Sequence, residues 1–208
     1  MPLQNRVTPT GDIIVDTNRG LMMGNRGGRI HDPATRQLHP TKRWLNKQWI
    51  CCVCDFKDRH RQIMSKGYTE LFFLDEVTAL SAGHRPCFEC RRTDAEDFAD
   101  HWRKLDGKNK RPFVKEMDEV LHRERLQGRS KATYETEWDD LPDGAVVQHQ
   151  DVVFAKKDAV ALRWFSHGYE RWPKLHFGGN VSCLTPPKIV AILKSGYEPH
   201  WHPSADAD

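Results

Sequence analysis

Cysteines gathered into two short segments constrain the fold of this chain more than any other feature of its sequence. Five of the six cysteines lie in two groups, namely Cys51, Cys52 and Cys54, and then Cys87 and Cys90. Two thiolates spaced C-x-x-C, in a turn that runs into a helix, can hold one tetrahedral zinc ion, and structural zinc sites have four ligands. The sequence therefore predicts a fold that brings the two groups together around Zn2+.

The first group contains one sulfur atom more than a four-cysteine site needs. Cys51 and Cys54 are themselves spaced C-x-x-C, whereas Cys52 and Cys54 would project to the same face of a strand. A redox or free-thiol role of these cysteines, and ligation by His60 or His84, are the open alternatives. The predicted zinc ligands are Cys52, Cys54, Cys87 and Cys90, with Cys51 as the alternative to Cys52.

The composition favours a soluble, cytoplasmic protein with a hydrophobic core. The 208 residues are 38% hydrophobic and have a mean hydropathy of −0.73. This composition is more polar than that of an average globular protein, but it is not the composition of a disordered chain. No run approaches the roughly 18 apolar residues of a membrane-spanning helix, and the first residues lack the apolar region of a signal peptide. Without an export signal, the closely spaced cysteines favour metal binding over disulfides, and Cys183 is typical of a buried small side chain.

Local patterns predict an α+β fold, with a small zinc-stapled hairpin and helix module inside a mixed, β-rich chain. Residues 1–43 are expected to form an N-terminal β segment and residues 44–130 the zinc module with two further helices. Residues 131–208 are expected to form a β-rich region with a closing helix. The alternative is that all three segments fold as one compact domain.

Capping and periodicity signals place the individual elements. Asp75 is the expected N-cap of the first helix, Thr93 and Glu96 form a capping box for the second, and the final residues HWHPSADAD are expected to fray. The predicted helices are 76–81, 94–105, 113–126 and 187–194. The predicted strands are two runs joined by a turn at 57–59, a run at 71–74, and 145–147, 151–155, 160–165 and 180–184.

The net charge of +3 conceals segments of opposite sign. Residues 36–66 contain eight basic and two acidic side chains, whereas residues 132–208 contain seven basic and eleven acidic ones. In the basic segment the cations alternate with Trp44, Trp49, Phe56 and His60, a combination that suits phosphate contacts together with base stacking. A solvated, ion-paired surface is the alternative interpretation of the same segment.

The segment FFLDEVTALSAGHRPCFECRR resembles the strand, short helix and metal-binding turn of the N-terminal domain of the Ada DNA-repair methyltransferase family. The resemblance covers roughly residues 44–105, where Cys87 and Cys90 match the C-x-x-C of that family. It implies a four-cysteine zinc domain that contacts DNA. It also implies that one upstream zinc-bound cysteine, here Cys52, accepts a methyl group from a backbone phosphotriester. Related domains serve as nucleic-acid-binding zinc modules without this chemistry.

Basic side chains near both cysteine groups define a predicted nucleic-acid-binding face. Zinc binding would bring the basic turn and the C-x-x-C turn together, and guanidinium groups beside a helix start can hold a phosphate. Ion pairs of the arginines with Glu89, Asp94 or Glu96 are the alternative. The residues of this face are Lys57, Arg59, Arg61, Arg85, Arg91 and Arg92.

Together these features predict a zinc-dependent nucleic-acid-binding protein that acts in DNA repair or in the recognition of modified DNA, with DNA as its partner. Two alternatives of another class are an enzyme that acts on DNA and a zinc-stapled scaffold that binds protein. Besides Cys52, the catalytic candidate is Pro2, whose amine could form an iminium with an abasic-site aldehyde once Met1 is removed. A zinc deaminase is disfavoured, because no H-x-E or C-x-E lies upstream of the C-x-x-C.

Overall fold

The computed structural model describes residues 2–58, 62–172, 177 and 179–207, and the descriptions below refer to these residues. Within this part of the chain there are two six-stranded sheets, a two-stranded hairpin and four α-helices. The predicted α+β class is therefore confirmed. No helix of the described residues is both long enough and apolar enough to cross a membrane.

The first sheet joins strands from both sides of residue 43. Its strands are β1 (Gln4–Val7), β2 (Ile13–Val15), β3 (Met22–Arg26), β4 (Trp49–Val53), β5 (Leu71–Phe73) and β6 (Arg85–Pro86). They follow the order β2-β1-β5-β3-β4-β6, with β1 parallel to β5 and β4 parallel to β6. The second run of the hairpin predicted beyond the turn at Lys57 falls partly on residues 59–61, which lie outside the described residues, and β4 pairs instead with β3 and β6.

The second sheet is antiparallel throughout and contains the β-rich region predicted for residues 131–208. Its strands are β9 (Tyr134–Glu137), β10 (Val146–His149), β11 (Val152–Lys157), β12 (Val160–Phe165), β13 (Gly168–Trp172) and β14 (Asn180–Cys183). Their order is β13-β12-β11-β10-β14-β9, and β7 (Leu126–Gln127) pairs with β8 (Ser130–Lys131) as a separate hairpin. The four strands predicted here are confirmed to within a few residues, whereas β9 and β13 were not predicted.

The four predicted helices are present, with boundaries within two residues of the predicted ones. They are α1 (Glu76–Ser81), α2 (Arg92–Leu105), α3 (Val114–Arg125) and α4 (Pro187–Lys194). Asp75 caps α1 as predicted and accepts a hydrogen bond of 2.9 Å from the backbone N–H of Thr78. The capping box of Thr93 and Glu96 is wrong, because α2 begins before Thr93 and its N-cap, Arg91, makes no side-chain cap.

Helix α1 lies where three hydrophobic cores meet, and all six of its residues are buried. Leu80 packs into a core formed by α2, α3 and α4, together with Phe98, Met117 and other apolar side chains. Ala79 belongs to the core under the first sheet, and Val77 to the core under the second sheet. This short helix therefore connects the two sheets and the helical layer.

Two buried carboxylates at the start of α1 hold the C-terminal segment in place. Glu76 is fully buried and accepts hydrogen bonds from the Tyr197 hydroxyl at 2.8 Å and the His200 backbone N–H at 3.0 Å. Asp75 accepts from the Tyr169 hydroxyl at 2.9 Å and the His202 backbone N–H at 3.0 Å. The expectation that the C-terminal residues fray is wrong for those described, because their backbone satisfies these carboxylates.

His84, which follows α1, makes stability depend on pH. It is fully buried against the rings of Trp49 and Phe73, at centroid distances of 5.1 and 4.7 Å. Burial, followed by the charges of Arg26 and Arg125, holds its pKa well below 6.5. The unfolded chain therefore binds a proton here that the folded chain does not, and this contribution to stability is lost as the pH falls below 6.5.

We expect His84→Phe to remove a slope of up to about 1.4 kcal/mol per pH unit from the free energy of unfolding on the acid side of neutrality. Urea unfolding between about pH 5 and pH 6.5 measures this slope. His39→Phe, at an exposed histidine, is the matched control. Equal slopes for the wild type and His84→Phe would mean that His84 is protonated in the fold.

Candidate metal centre

Three of the predicted ligands form one compact cluster of thiols. The sulfur atoms of Cys52, Cys87 and Cys90 all lie within 4.8 Å of one another. Cys52 lies on β4, Cys87 follows β6 directly, and Cys90 lies in the turn before α2. Because β4 and β6 are parallel, with the Cys87 N–H donating to the Cys51 carbonyl at 3.0 Å, the C-x-x-C turn begins beside the strand that carries Cys52.

Backbone N–H groups bond to the carbonyl and to the sulfur atom of Cys87 in the turn. The Cys87 carbonyl accepts a hydrogen bond of 2.9 Å from the Arg91 N–H, and the Cys87 sulfur accepts one of 3.4 Å from the Glu89 N–H. Hydrogen bonds from the thiols of Cys52 and Cys90, and then from the backbone of Cys90 and Glu89, lower the pKa of Cys87. The neighbouring thiols and the backbone N–H groups of the turn together favour a thiolate at Cys87.

The cluster cannot carry three negative charges without a cation nearby. The pKa of Cys52 is raised because its thiol is hydrogen-bonded to Cys87 and Cys90 and because it is buried. A metal ion supplies the missing positive charge and keeps coordinating thiols deprotonated. Sulfur donors fit soft and borderline ions, of which zinc is the usual partner of a C-x-x-C turn.

The remaining members of the first cysteine group lie outside this cluster. Cys51 points to the opposite side of β4, is fully buried, and accepts a contact of 3.6 Å from the Arg91 guanidinium. Strand β4 ends at Val53, so Cys54 leaves the face that carries Cys52, and its thiol donates to the Leu21 carbonyl at 3.3 Å. The structure thus differs from the four-cysteine prediction at Cys54 and gives Cys51 no part in the cluster.

No fourth metal-binding side chain joins the cluster among residues 2–58, 62–172, 177 and 179–207. His84, an alternative ligand, lies between aromatic rings away from these sulfur atoms, and His60 lies outside the described residues. A cavity of about 380 Å3 lies beside the cluster, with Cys87, Phe88 and Arg85 among the residues in its walls. Three protein ligands next to open space are typical of metal sites that accept an external ligand.

Two arginines of the predicted nucleic-acid-binding face are buried in ion pairs. Arg85 makes two hydrogen bonds, of 2.8 and 3.0 Å, to the Asp118 carboxylate of α3. Arg91 lies between Glu76 at 2.7 Å and Asp94 at 2.8 Å. Both arginines are at most 4% exposed. Both guanidinium groups are therefore paired with carboxylates of the protein, as in the ion-pair alternative to phosphate contact.

Of the other residues of the predicted nucleic-acid-binding face, two lie on the surface and two lie outside the described residues. Arg92 is exposed and makes an i,i+4 ion pair of 3.1 Å with Glu96. Lys57 is exposed, with its ammonium group 5.0 Å from the centroid of the Phe56 ring. Arg59 and Arg61 lie outside the described residues.

Pro2, the candidate iminium-forming residue, is exposed next to β1. Asn5 of β1 and the buried His31 make structural hydrogen bonds. Asn5 donates to the Glu70 carbonyl at 3.1 Å, and His31 lies 2.6 Å from the Thr69 hydroxyl and 2.8 Å from the Ser65 carbonyl. These contacts join β1 and the loop before β5, and they account for both polar side chains without a catalytic role.

Fold and site together define an α+β protein with a three-thiol cluster able to hold a metal ion. Comparison with protein-family models, with curated proteins and with solved structures finds no match to this chain. The resemblance to the Ada N-terminal domain therefore stays a prediction.

Proposed function

We propose that this protein is a zinc-thiolate protein that binds nucleic acid, in DNA repair or in the recognition of modified DNA. The observation that carries the proposal is the cluster of Cys52, Cys87 and Cys90, whose sulfur atoms lie within 4.8 Å of one another. Their geometry suits one tetrahedral ion with a fourth position for water or another ligand. The zinc assignment rests on this donor set, and the nucleic-acid assignment on the exposed basic side chains and on the resemblance to the Ada domain.

Access to the metal centre supports a role in binding an external molecule. The cavity beside the cluster contains Cys87, the aromatic side chains of Phe88 and Tyr68, and the polar groups of Asn25 and Gln48. Aromatic faces and amide groups together suit the flat and polar edges of a nucleobase. A closed structural zinc site would not need such a cavity.

Neutralising exposed cations near the cluster should weaken DNA binding in a salt-dependent way. We expect Lys57→Gln and Arg92→Gln each to flatten the plot of log affinity against log salt concentration by about one unit, because each removes one phosphate contact. Fluorescence anisotropy with a labelled DNA duplex, at several salt concentrations, measures the slope.

Lys108→Gln, at an exposed lysine in the loop after α2, is the matched control and should leave the slope unchanged. The predicted nucleic-acid-binding face would be contradicted if DNA affinity did not change with salt concentration, or if both variants bound DNA as the wild type does. The zinc-stapled protein-binding scaffold would then be the better interpretation.

A second candidate function is alkyl transfer to a thiolate of the cluster. In this step a thiolate sulfur attacks the alkyl carbon of a phosphotriester, the carbon–oxygen bond breaks, and the phosphodiester leaves with the electron pair. The resemblance points to Cys52 as the acceptor, whereas the cavity beside the cluster is lined by Cys87. Mass spectrometry after incubation with methyl-phosphotriester DNA would locate a methyl group on either residue.

A further inference from the structure

A second cavity, remote from the cysteines, has a strongly basic lining. It has a volume of about 320 Å3 and lies between the β1–β2 turn, the end of β3, α1 and the β7–β8 hairpin. No cysteine lines it, so it is separate from the metal centre. Its charged lining residues are Asp12, Arg26, Arg43, Arg125, Arg129 and Lys131.

The positive charge of this cavity is not balanced by the protein. Its lining has five basic side chains and one acidic side chain, and no described residue forms an ion pair with any of the five. Asp12, the acidic residue, accepts a hydrogen bond of 2.7 Å from the Thr10 hydroxyl. Buried charges are normally paired, because an unpaired one loses its hydration without compensation.

Two buried arginines sandwich a tryptophan ring in the cavity wall. The guanidinium carbons of Arg26 and Arg125 lie 4.0 and 3.9 Å from the centroid of the Trp49 ring. Arg26 donates to the Gly11 carbonyl at 2.8 Å, and Arg125 donates to the Gly83 carbonyl at 2.9 Å. These neutral acceptors fix the orientation of both guanidinium groups but supply no negative charge.

Two N–H groups of this wall have no hydrogen-bond acceptor in the part of the chain that is described. Arg125 is 1% exposed, yet its Nε atom has no hydrogen-bond acceptor, and the indole N–H of Trp49 has none either. Burial lowers the pKa of Arg26, Arg125 and Lys131, so the fold holds these cations at an electrostatic cost. An anion in the cavity would supply both the charge and the acceptors.

We propose that this cavity binds a phosphate group. Guanidinium groups present their N–H donors in a fixed fork that matches phosphate oxygen atoms, and four of the five cations here are arginines. Trp44 also lines the cavity, so an aromatic side chain lies close to the basic groups. The same chemistry is found in a free nucleotide and in the terminal phosphate of a nucleic acid strand. The site goes beyond the proposed function, because it involves none of the metal-binding cysteines.

Inorganic phosphate is the first probe, and the zinc-loaded full chain is the protein to use. We expect phosphate to raise the melting temperature more than sodium chloride does at equal ionic strength, because it binds only the folded cavity. Lys131→Met should weaken phosphate binding about tenfold, the loss expected for one charge-assisted contact. The same variant should melt no lower than the wild type without phosphate, because it removes an unbalanced cation.

A second variant and a control keep the proposal testable if one substitution disturbs the fold. Arg43→Met removes an exposed cation at the rim and should also weaken phosphate binding, whereas Arg123→Met removes an exposed cation of α3 that does not line the cavity. The proposal is wrong if Lys131→Met and Arg43→Met both bind phosphate as the wild type does. It is also wrong if sodium chloride reproduces the whole rise in melting temperature.

Two further probes distinguish the source of the phosphate. If adenosine monophosphate binds more tightly than inorganic phosphate, and if Trp44→Ala abolishes this difference in affinity, the ligand is a free nucleotide. An oligonucleotide that binds more tightly with a 5′-phosphate than without one, again through Lys131, would identify a strand end. Failure of DNA binding with phosphate binding intact would contradict the proposed function alone.

Discussion

The wild-type protein is expected to purify with one equivalent of zinc, and the variant Cys87→Ser is expected to purify without it. Cys87 supplies the thiolate that the backbone N–H groups of the turn stabilise, and the remaining sulfur atoms of Cys52 and Cys90 are too few for a stable site. The free energy of unfolding should fall by about 4 kcal/mol, the stabilisation given by a ligand present at a thousand times its Kd. Elemental analysis and urea unfolding measure the two effects.

Cys54→Ser is the matched control, because it changes a cysteine of the same segment whose thiol bonds to the Leu21 carbonyl outside the cluster. It should keep its zinc and almost all of its stability. Zinc loss in Cys54→Ser would restore the four-cysteine site. A wild-type zinc content below about half an equivalent, in protein purified without chelator, would contradict the zinc assignment altogether.

Glu76→Gln should be among the most destabilising substitutions outside the metal centre. Glu76 is fully buried and bonds to the Arg91 guanidinium, the Tyr197 hydroxyl and the His200 backbone N–H. Removing its charge leaves Arg91 buried without its main partner, which typically costs about 3–5 kcal/mol. Thermal and urea unfolding should both show this loss.

Glu96→Gln removes the carboxylate of an exposed ion pair on α2 and serves as the control. Exposed pairs contribute about 0–1 kcal/mol, so the two variants should differ by at least about 2 kcal/mol. Similar stabilities for Glu76→Gln and Glu96→Gln would show that the buried network does not contribute to the fold as described.

Elements specified by local signals could be predicted, and pairings between distant segments could not. Helix α1 has its cap at Asp75, and helix α4 has its proline at Pro187, so both helices follow from neighbouring residues. Strand β13 was missed because Gly168–Trp172 has little apolar alternation of its own and is stabilised by pairing with β12.

The metal centre was partly predictable for the same reason. The spacing of Cys87 and Cys90 is a local signal. Which of Cys51, Cys52 and Cys54 joins them depends on where β4 ends and on the register in which β4 pairs with β6. A pairing register shifted by one residue moves every side chain of a strand to its other face. No local pattern near the cysteines specifies that register.

The basic residues show most clearly what could not be predicted from the sequence alone. Arg85 and Arg91 flank the cysteines and are chemically suited to phosphate, yet their partners Asp118 and Glu76 come from α3 and α1. The basic cavity was not predicted, because Arg26 is far in sequence from Arg125 and Lys131 and meets them only in the fold. A count of basic residues treats both sets alike, although ion pairs neutralise Arg85 and Arg91 and do not neutralise the residues of the basic cavity.

The burial of α1 among three cores affects the order in which parts of the chain can fold during synthesis. The residues that satisfy Asp75 and Glu76 include Tyr169, Tyr197 and the backbone of His200 and His202. A ribosome releases these residues long after the cysteines have emerged, and buried carboxylates are costly until their partners arrive. The hydrogen-bond network around α1 can therefore be completed only after the C-terminal segment has been synthesised.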